Sequence, residues 1–301
     1  MTGDAQTDSD SNPLLEFFRS VAHDAKTPLN SIISTVGLLA DSELDSEQQE
    51  DVQEIQRSAA ELRRYMETIF AYAKLKTGNF PVIPYPSRFS RILFDVVNET
   101  AKRLAAREGG VVLFLDERLP DRFQGDIVRV EMLFANTLYW LTDAYSKASH
   151  IVISLEQVER SSDTLSLRLT CGVVHNDASL TRSDALPRFR REGDPTTLQQ
   201  SIAYLACYCA QELGGGHQIG PVLSSVQQIP AEILEFQVPL PTKPSDVLLS
   251  EKLIEQATAS KAEFQVERCS DENHPQQRIA LCVGSQLGQD VRSEVLRVIF
   301  G

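Results

Sequence analysis

From Leu15 onward, apolar residues fall at Leu15, Phe18, Ala22, Ala25, Leu29, Ile32, Val36 and Leu39, in steps of 3, 4, 3, 4, 3, 4 and 3. That spacing predicts a helix with a coiled-coil seam. Pro13 suits its first turn, where a missing N–H costs nothing. The polar run ADSELDSEQQ, residues 40–49, breaks the pattern. A second seam follows at Val52, Ile55, Ala59, Leu62, Met66, Ile69 and Ala73, in steps of 3, 4, 3, 4, 3 and 4. Ser46 with Gln49 three residues later predicts a capping box at its start. Gly78, preceded by Lys74 and Lys76, predicts its end. Two seamed helices with a short connection predict an antiparallel hairpin. Phe17, Val21, Ile33, Ile69, Phe70 and Tyr72 widen the apolar face beyond what two helices bury. The expected solution is a dimer in which two hairpins form a four-helix bundle.

The texture changes near residue 80. FPVIPYPSRFS (80–90) reads as a proline-punctuated linker into an edge strand. RILFDVVNETAKRLAAREG (91–109) reads as an amphipathic helix stopped at Gly109-Gly110. VVLFLDE (111–117) reads as a strand, RLPDRFQGD (118–126) as a turn and residues 127–148 as a helix. HIVISLEQV (150–158) and TLSLRLTCGVV (164–174) read as strands. A helix spans PTTLQQSIAYLACYCAQELGGG (195–216), stopped by Gly214. SSVQQIP (224–230) and ILEFQVPLP (233–241) close the unit. The whole is expected to be α+β: a helical hairpin, then helices segregated against a mixed sheet in an α/β sandwich. Beyond it, DVLLSEKLIEQATAS and QDVRSEVLRVIF look helical, while AEFQVERC and RIALCVG look strand-like. They form a small α/β extension expected to pack on the second domain. The expected divisions are a disordered polar lead (1–12), the hairpin (13–78), the sandwich (79–243) and the extension (244–301).

Charge and composition narrow the function classes. The net charge of −13 argues against nucleic acid or an anionic membrane as the main partner. No apolar run approaches the roughly 20 residues a membrane span needs. The polar, acidic start is neither a signal peptide nor a basic transit peptide. Five cysteines, Cys171, Cys207, Cys209, Cys269 and Cys282, show no CxxC spacing. They read as reduced thiols, which implies a cytoplasmic protein. Cys207 and Cys209 read as core fillers. His150, His175, His217 and His274 lie in scattered contexts without metal-ligand spacing.

The chemistry concentrates in VAHDAKTPLNSII, residues 21–33. His23 follows the seam residue Ala22, at the seam's edge. Pro28 cannot donate to the carbonyl of Asp24 and is expected to bend the helix. Proline inside a helix costs about 3 kcal/mol, so the bend is expected to have a use, such as shaping the backbone around His23 for a partner. The plainer reading of each residue alone is a solvated helix face or a simple kink.

His23-Asp24-Ala25-Lys26-Thr27-Pro28-Leu29 resembles the His-(Glu/Asp)-X-X-(Thr/Asn)-Pro-Leu motif of two-component histidine kinases. The likeness covers residues 13–80 and places the motif on the first helix of a dimerization and histidine-phosphotransfer hairpin. The resemblance implies that His23 is the phosphoacceptor. Neutral imidazole is nucleophilic near pH 7. Asp24 would hold one ring proton, leaving the other nitrogen free to attack phosphorus. Thr27, one turn on, would position a water for dephosphorylating a partner. Lys26, Pro28 and Asn30 are expected to contact the partner, with Lys26 offsetting phosphoryl charge.

The second domain resembles the ATP-binding domain that follows this hairpin in the family. LPDRFQGDIVRVEMLFANTL looks like the entry to its nucleotide helix, with Gly125, Asp126, Arg129 and Asn136 matching. LPRFRR (186–191) and QELGGG are fainter likenesses, to the segments before and after the lid. The catalytic parts depart from the pattern. Trp140 stands where the family carries its Mg²⁺-ligating asparagine, and Asp143 where Lys or His is usual. TCGVV (170–174) lacks the adenine-reading Asp-X-Gly-X-Gly. TTLQQSIAY (196–204) lacks the glycines of a phosphate-wrapping lid.

Three functions follow from the resemblance. The first is a kinase-derived histidine phosphotransferase without a bound cofactor. It would pass phosphoryl groups between receiver domains of response regulators, act as a homodimer and use the degenerate domain for docking. The absence of a receiver domain or sensor span suits a soluble relay. The second is a soluble histidine kinase that uses ATP and Mg²⁺ in a divergent site. The third is a non-enzymatic scaffold or phosphatase that binds response regulators.

Overall fold

A computed structural model describes residues 13–76, 82–105, 109–144, 150–174, 197–223, 228–241, 247–259, 264–269 and 278–284. The chain groups into two compact units, Met1–Pro81 with Thr196–Ser201, and Val82–Pro195 with Ile202–Gly301.

The first unit is the hairpin. Helix α1 runs Pro13–Ala40 without interruption at Pro28, and α2 runs Ser46–Lys76. The two helices pack against each other. The α2 capping box falls one residue earlier than Ser46 and Gln49. Asp45 is the cap: its Oδ1 accepts from the Gln48 N–H at 2.9 Å, and Gln48 Oε1 accepts from the Asp45 N–H at 3.2 Å. Aspartate caps as well as serine, and its position one residue outside the helix decides the register. Gly78 lies outside the described residues.

The seam divides into two sets. Leu29 and Val36 on α1, with Val52 and Ala59 on α2, are buried. The alternate members remain open: Ile32 is 47% exposed, Leu39 44%, Ile55 44%, Leu62 50% and Ile69 45%. A seven-residue repeat produces this split. The first apolar position of each heptad faces the neighbouring helix, and the second lies about 60° away around the helix, where one neighbour cannot cover it.

The second unit is built on a seven-stranded mixed sheet. Strands β1 (Pro84–Arg88) and β3 (Arg122–Asp126) first form a separate antiparallel ribbon, with Tyr85 opposite Gly125. Residues 118–126, expected as a turn, contain β3. The five-residue β3 has only one partner strand, so it leaves little alternation to read. The main sheet contains β2 (Gly110–Asp116), β4 (His150–Arg160), β5 (Thr164–Val174), β6 (Gly216–Leu223), β7 (Gln228–Pro239), β8 (Phe264–Cys269) and β9 (Arg278–Gly284). Its order is β6-β7-β5-β4-β2-β9-β8. Among the described strands only β2 and β4 pair in parallel; β3 and α4 (Ile127–Ala144) lie between them in the chain, and α3 (Phe89–Ala105) precedes β2. Strand β2 is buried at every position, as a run of Gly, Val, Leu and Phe in a central strand requires.

Local signals set the other element ends. α5 (Leu198–Glu212) is capped by Thr197, whose Oγ1 accepts from the Gln200 N–H at 3.2 Å. It stops at Gly214, whose φ of 77° suits glycine. A Cβ on the next residue, Gly215, would stand 1.8 Å from the Glu235 carbonyl oxygen, so β7 can approach only a glycine there.

The C-terminal extension is woven into this unit. β9 pairs along the whole of β2, from Gly110↔Gly284 to Asp116↔Arg278, and β8 pairs with β9. α6 (Leu249–Ala259) packs against α3, with Leu249 and Leu253 buried. The Asp121 N–H donates to the Val247 carbonyl at 3.0 Å, and the Leu249 N–H to the Leu119 carbonyl at 2.9 Å. The helix expected over QDVRSEVLRVIF lies outside the described residues.

Two outcomes test this packing. Leu249→Ala should lower unfolding free energy by about 2–5 kcal/mol in urea titration, because its side chain is fully buried. His150, at the start of β4, is buried, and burial pushes its imidazole pKa below the ordinary 6.5. The unfolded chain therefore binds the extra proton first. Stability is full above about pH 6.5 and declines as pH falls through that value. Urea midpoints measured between pH 7.5 and 5.5 should drop in the native protein and drop less in His150→Gln.

Candidate functional site

The motif lies in the middle of α1, where the backbone of His23 is helical. The His23 side chain lies outside the described residues, so its expected exposure at the seam's edge stays a sequence reading. Asp24, Lys26, Thr27, Pro28 and Asn30 are all exposed, and Leu29 behind them is buried. The buried leucine anchors this turn and presents its neighbours to water. Thr27 and Asn30 follow position 23 at four and seven residues, so helical geometry sets the three along one line. Asp24, Pro28 and Ser31 follow on the adjacent line.

Two hydrogen bonds organise this turn. Ser20 Oγ donates to Asp24 Oδ2 at 3.5 Å, a long contact one turn before the carboxylate. Ser31 Oγ donates to the Thr27 carbonyl at 3.2 Å. Pro28 has no N–H, so the Asp24 carbonyl receives no intrahelical bond from it. Neither serine was singled out in the sequence. A serine three or four residues from a motif member, on the same helical line, is the signal that could have found them.

In the second unit, the residues that match a nucleotide-binding helix perform structural work. Asp126 and Arg129 are both buried and form an ion pair, and the Arg129 N–H donates to Asp126 Oδ1 at 3.1 Å. Arg129 Nη2 also lies 3.8 Å from Glu212 at the end of α5. This pairing ties α4 to α5 across more than 80 residues of sequence, and no local pattern announces it. Beside it, burial drives the Cys209 thiol up to about 12, so the cysteine acts as core. Cys171 and Cys207 are buried as well. Among the described residues, no group of three or more His, Cys, Asp or Glu is arranged to hold a metal.

The positions expected to hold ATP and Mg²⁺ do not fit them. Trp140 is 1% exposed, and its indole offers one N–H donor and no oxygen ligand for a hard cation. Asn136 is buried one turn earlier, and Asp143 is exposed. Residues 170–174 are regular β5 ladder, with Thr170 opposite Ser154 and Gly172 opposite Val152. Residues 198–204 are the opening turns of α5. LPRFRR (186–191) lies outside the described residues. No helix among the described residues is long and apolar enough to cross a membrane.

Comparison with known proteins agrees with the motif. The His Kinase A (phospho-acceptor) domain matches residues 14–78. Histidine kinase 3 of Arabidopsis thaliana is 23% identical over 150 residues, covering 50% of this chain and 14% of that protein. Probable histidine kinase 4 of Oryza sativa subsp. japonica is 26% identical over 149 residues, covering 49% of this chain and 14% of that protein. The chain thus spans about a seventh of the length of these curated relatives. Among solved structures, full-length ShkA in complex with AMPPNP aligns with a TM-score of 0.48 at 16% identity, over 77% of this chain and 47% of that one. The Acinetobacter baumannii histidine kinase AdeS aligns at 0.41 and 14% identity, over 72% of this chain and 98% of that one. The phospho-acceptor domain match thus falls on the helical hairpin, and these curated relatives, similar over about half of this chain, are histidine kinases.

Proposed function

We propose that this protein is a histidine phosphotransferase of a two-component phosphorelay and that it has lost ATP binding. One observation carries this reading: the buried Trp140 occupies the helical position at which a kinase of this type needs a metal-ligating asparagine. An indole sealed into the core leaves no hard ligand there. The relay chemistry needs no nucleotide. A neutral His23 ring nitrogen attacks the phosphorus of a receiver's aspartyl phosphate. The P–N bond forms, the P–O bond breaks, and the aspartate leaves as a carboxylate. The reverse step delivers the group to a second receiver. Asp24, beside the histidine in sequence, steers the ring proton to the nitrogen that does not attack. Lys26 offsets phosphoryl charge, and Thr27 positions a water in any hydrolytic branch.

Assembly follows from the open half of the seam. Ile32, Leu39, Ile55, Leu62 and Ile69 line the hairpin's uncovered apolar positions, and a second copy would bury them in a four-helix bundle. The relatives' printed names and the match of Asp126, Arg129 and Asn136 favour a second reading, a working kinase with a divergent pocket.

Labelled ATP separates the two. Purified protein incubated with γ-labelled ATP and Mg²⁺ should take up no acid-labile label, and label on His23 would establish the kinase instead. Mixed with a phosphorylated receiver domain, the protein should acquire that label within minutes. His23→Gln should reduce transfer more than a hundredfold. Thr27→Ala should leave transfer within a few-fold of the native rate. A His23→Gln protein that still controls receiver phosphorylation would point to the scaffold or phosphatase reading.

A further inference from the structure

Two arginines face each other across the ribbon of β1 and β3. Arg88 is the ladder partner of Arg122, and both are exposed. Residues directly opposite in an antiparallel pair share one face, about 5 Å apart at Cβ, and like charges placed so destabilise the strands. Little nearby offsets this pair. Arg88 Nη1 lies 3.8 Å from the buried Asp121 carboxylate, beyond hydrogen-bond length, and Asp121 Oδ1 already accepts from the Ser90 N–H at 3.0 Å. Arg122 makes no ion pair among the described residues, nor does Arg91, which is exposed in the first turn of α3. Asp126, across from Pro84, is buried and paired with Arg129. The chain as a whole carries 42 carboxylates against 29 lysines and arginines, yet residues 82–94 and 122–125 hold these three arginines and no carboxylate.

The same face has a rigid apolar part. Pro84 and Pro86 alternate with Arg88 along β1, so they lie on its side of the ribbon, and both are exposed. They remove two N–H groups from β1, which suits an edge that refuses a further strand. An occupant must therefore engage side chains.

We propose that the face formed by Arg88, Arg91 and Arg122 docks a short carboxylate-rich segment of another protein. Carboxylates of the segment accept from the guanidinium forks, and an aromatic or apolar residue rests on Pro86. Arginine clusters are a recurring way to read acidic motifs. Binding also relieves the repulsion between the two opposed guanidiniums. The net charge of −13 sets the size of the occupant, because the rest of the surface repels a long polyanion. It likewise disfavours nucleic acid, and a second copy of a chain that carries the same charge. The face belongs to the second unit, and the inference holds whether or not the relay reading does.

The test titrates a labelled peptide, four glutamates around one tryptophan, and its glutamine counterpart into the full chain, read by fluorescence anisotropy. The glutamate peptide should bind at least tenfold tighter at low salt, and its advantage should shrink as salt rises. Arg88→Glu with Arg122→Glu should weaken it at least tenfold, whereas Arg160→Glu, at an exposed position at the far end of β4, should leave it within twofold. Arg122→Glu alone should raise the melting temperature by roughly one to three degrees, because an opposite-charge pair replaces opposed like charges. Equal binding of the two peptides, or unchanged binding by the double variant, overturns the inference. A melting temperature lowered by Arg122→Glu assigns that arginine to holding the ribbon together and overturns it as well. Single-stranded DNA that displaces the glutamate peptide at lower concentration gives the face to nucleic acid instead. Self-association of the chain that is lost in the double variant gives it to a second copy.

Discussion

The hairpin depends on an apolar repeat that two helices can satisfy only in part. Burying Leu29, Val36, Val52 and Ala59 fixes how α1 and α2 lie against each other. It also fixes the rotation of α1, and with it the outward placement of Asp24, Lys26, Thr27 and Asn30. A shift of the helical phase by one residue would turn these polar side chains toward α2 and expose Leu29. Each buried leucine or valine is worth about 1.5–3 kcal/mol, so the phase is held firmly. The open seam residues are the other side of the same constraint. They are apolar because the repeat continues, and they stay wet because one hairpin has a single neighbour to offer.

The second unit obeys a different logic. Its matching residues, Asp126 and Arg129, form a buried ion pair at the start of α4, and Arg129 also reaches to 3.8 Å from the exposed Glu212 carboxylate at the end of α5. Such a pair is costly to break because each charge left alone would be desolvated without compensation. Retention of these residues therefore needs no nucleotide to explain it. Trp140 makes the complementary point. Its volume is spent on the core of a unit whose stacked Phe89–Phe123 and edge-on Phe134–Phe236 pairs show the same preference for packing.

Much of this was legible in the sequence because the deciding patterns are local. The heptad steps gave both hairpin helices, Pro13 marked the start of the first, and Gly214 marked the end of α5. The α+β architecture followed from strand alternation and helix stops. Asp45 was missed as the cap because Ser46 and Gln49 offer the same spacing one residue later, and only the backbone distinguishes them. Strand β3 was missed because a short strand with one partner has no period to detect. Glu212's approach to Arg129 and β9's place beside β2 are contacts between distant segments, which no local pattern in a single sequence displays. The site motif was readable as a string, while the buried state of Trp140 required the fold.

The pairing of β9 with β2 has a kinetic side. Gly110 and Gly284 are partners in one ladder although the chain between them contains most of the second unit. Closing so long a loop is entropically slow, and mixed sheets with distant partners fold late. At about 5–20 residues per second, a ribosome needs roughly 10–30 s to deliver β9 after β2 has emerged. Through that interval one edge of a buried, mostly apolar strand waits without its partner, whereas the α1–α2 hairpin, whose two helices are neighbours in the chain, can already be complete. Birth order thus separates the two halves: the segment bearing the histidine can mature first, and the sheet behind it must be guarded until the last strand arrives.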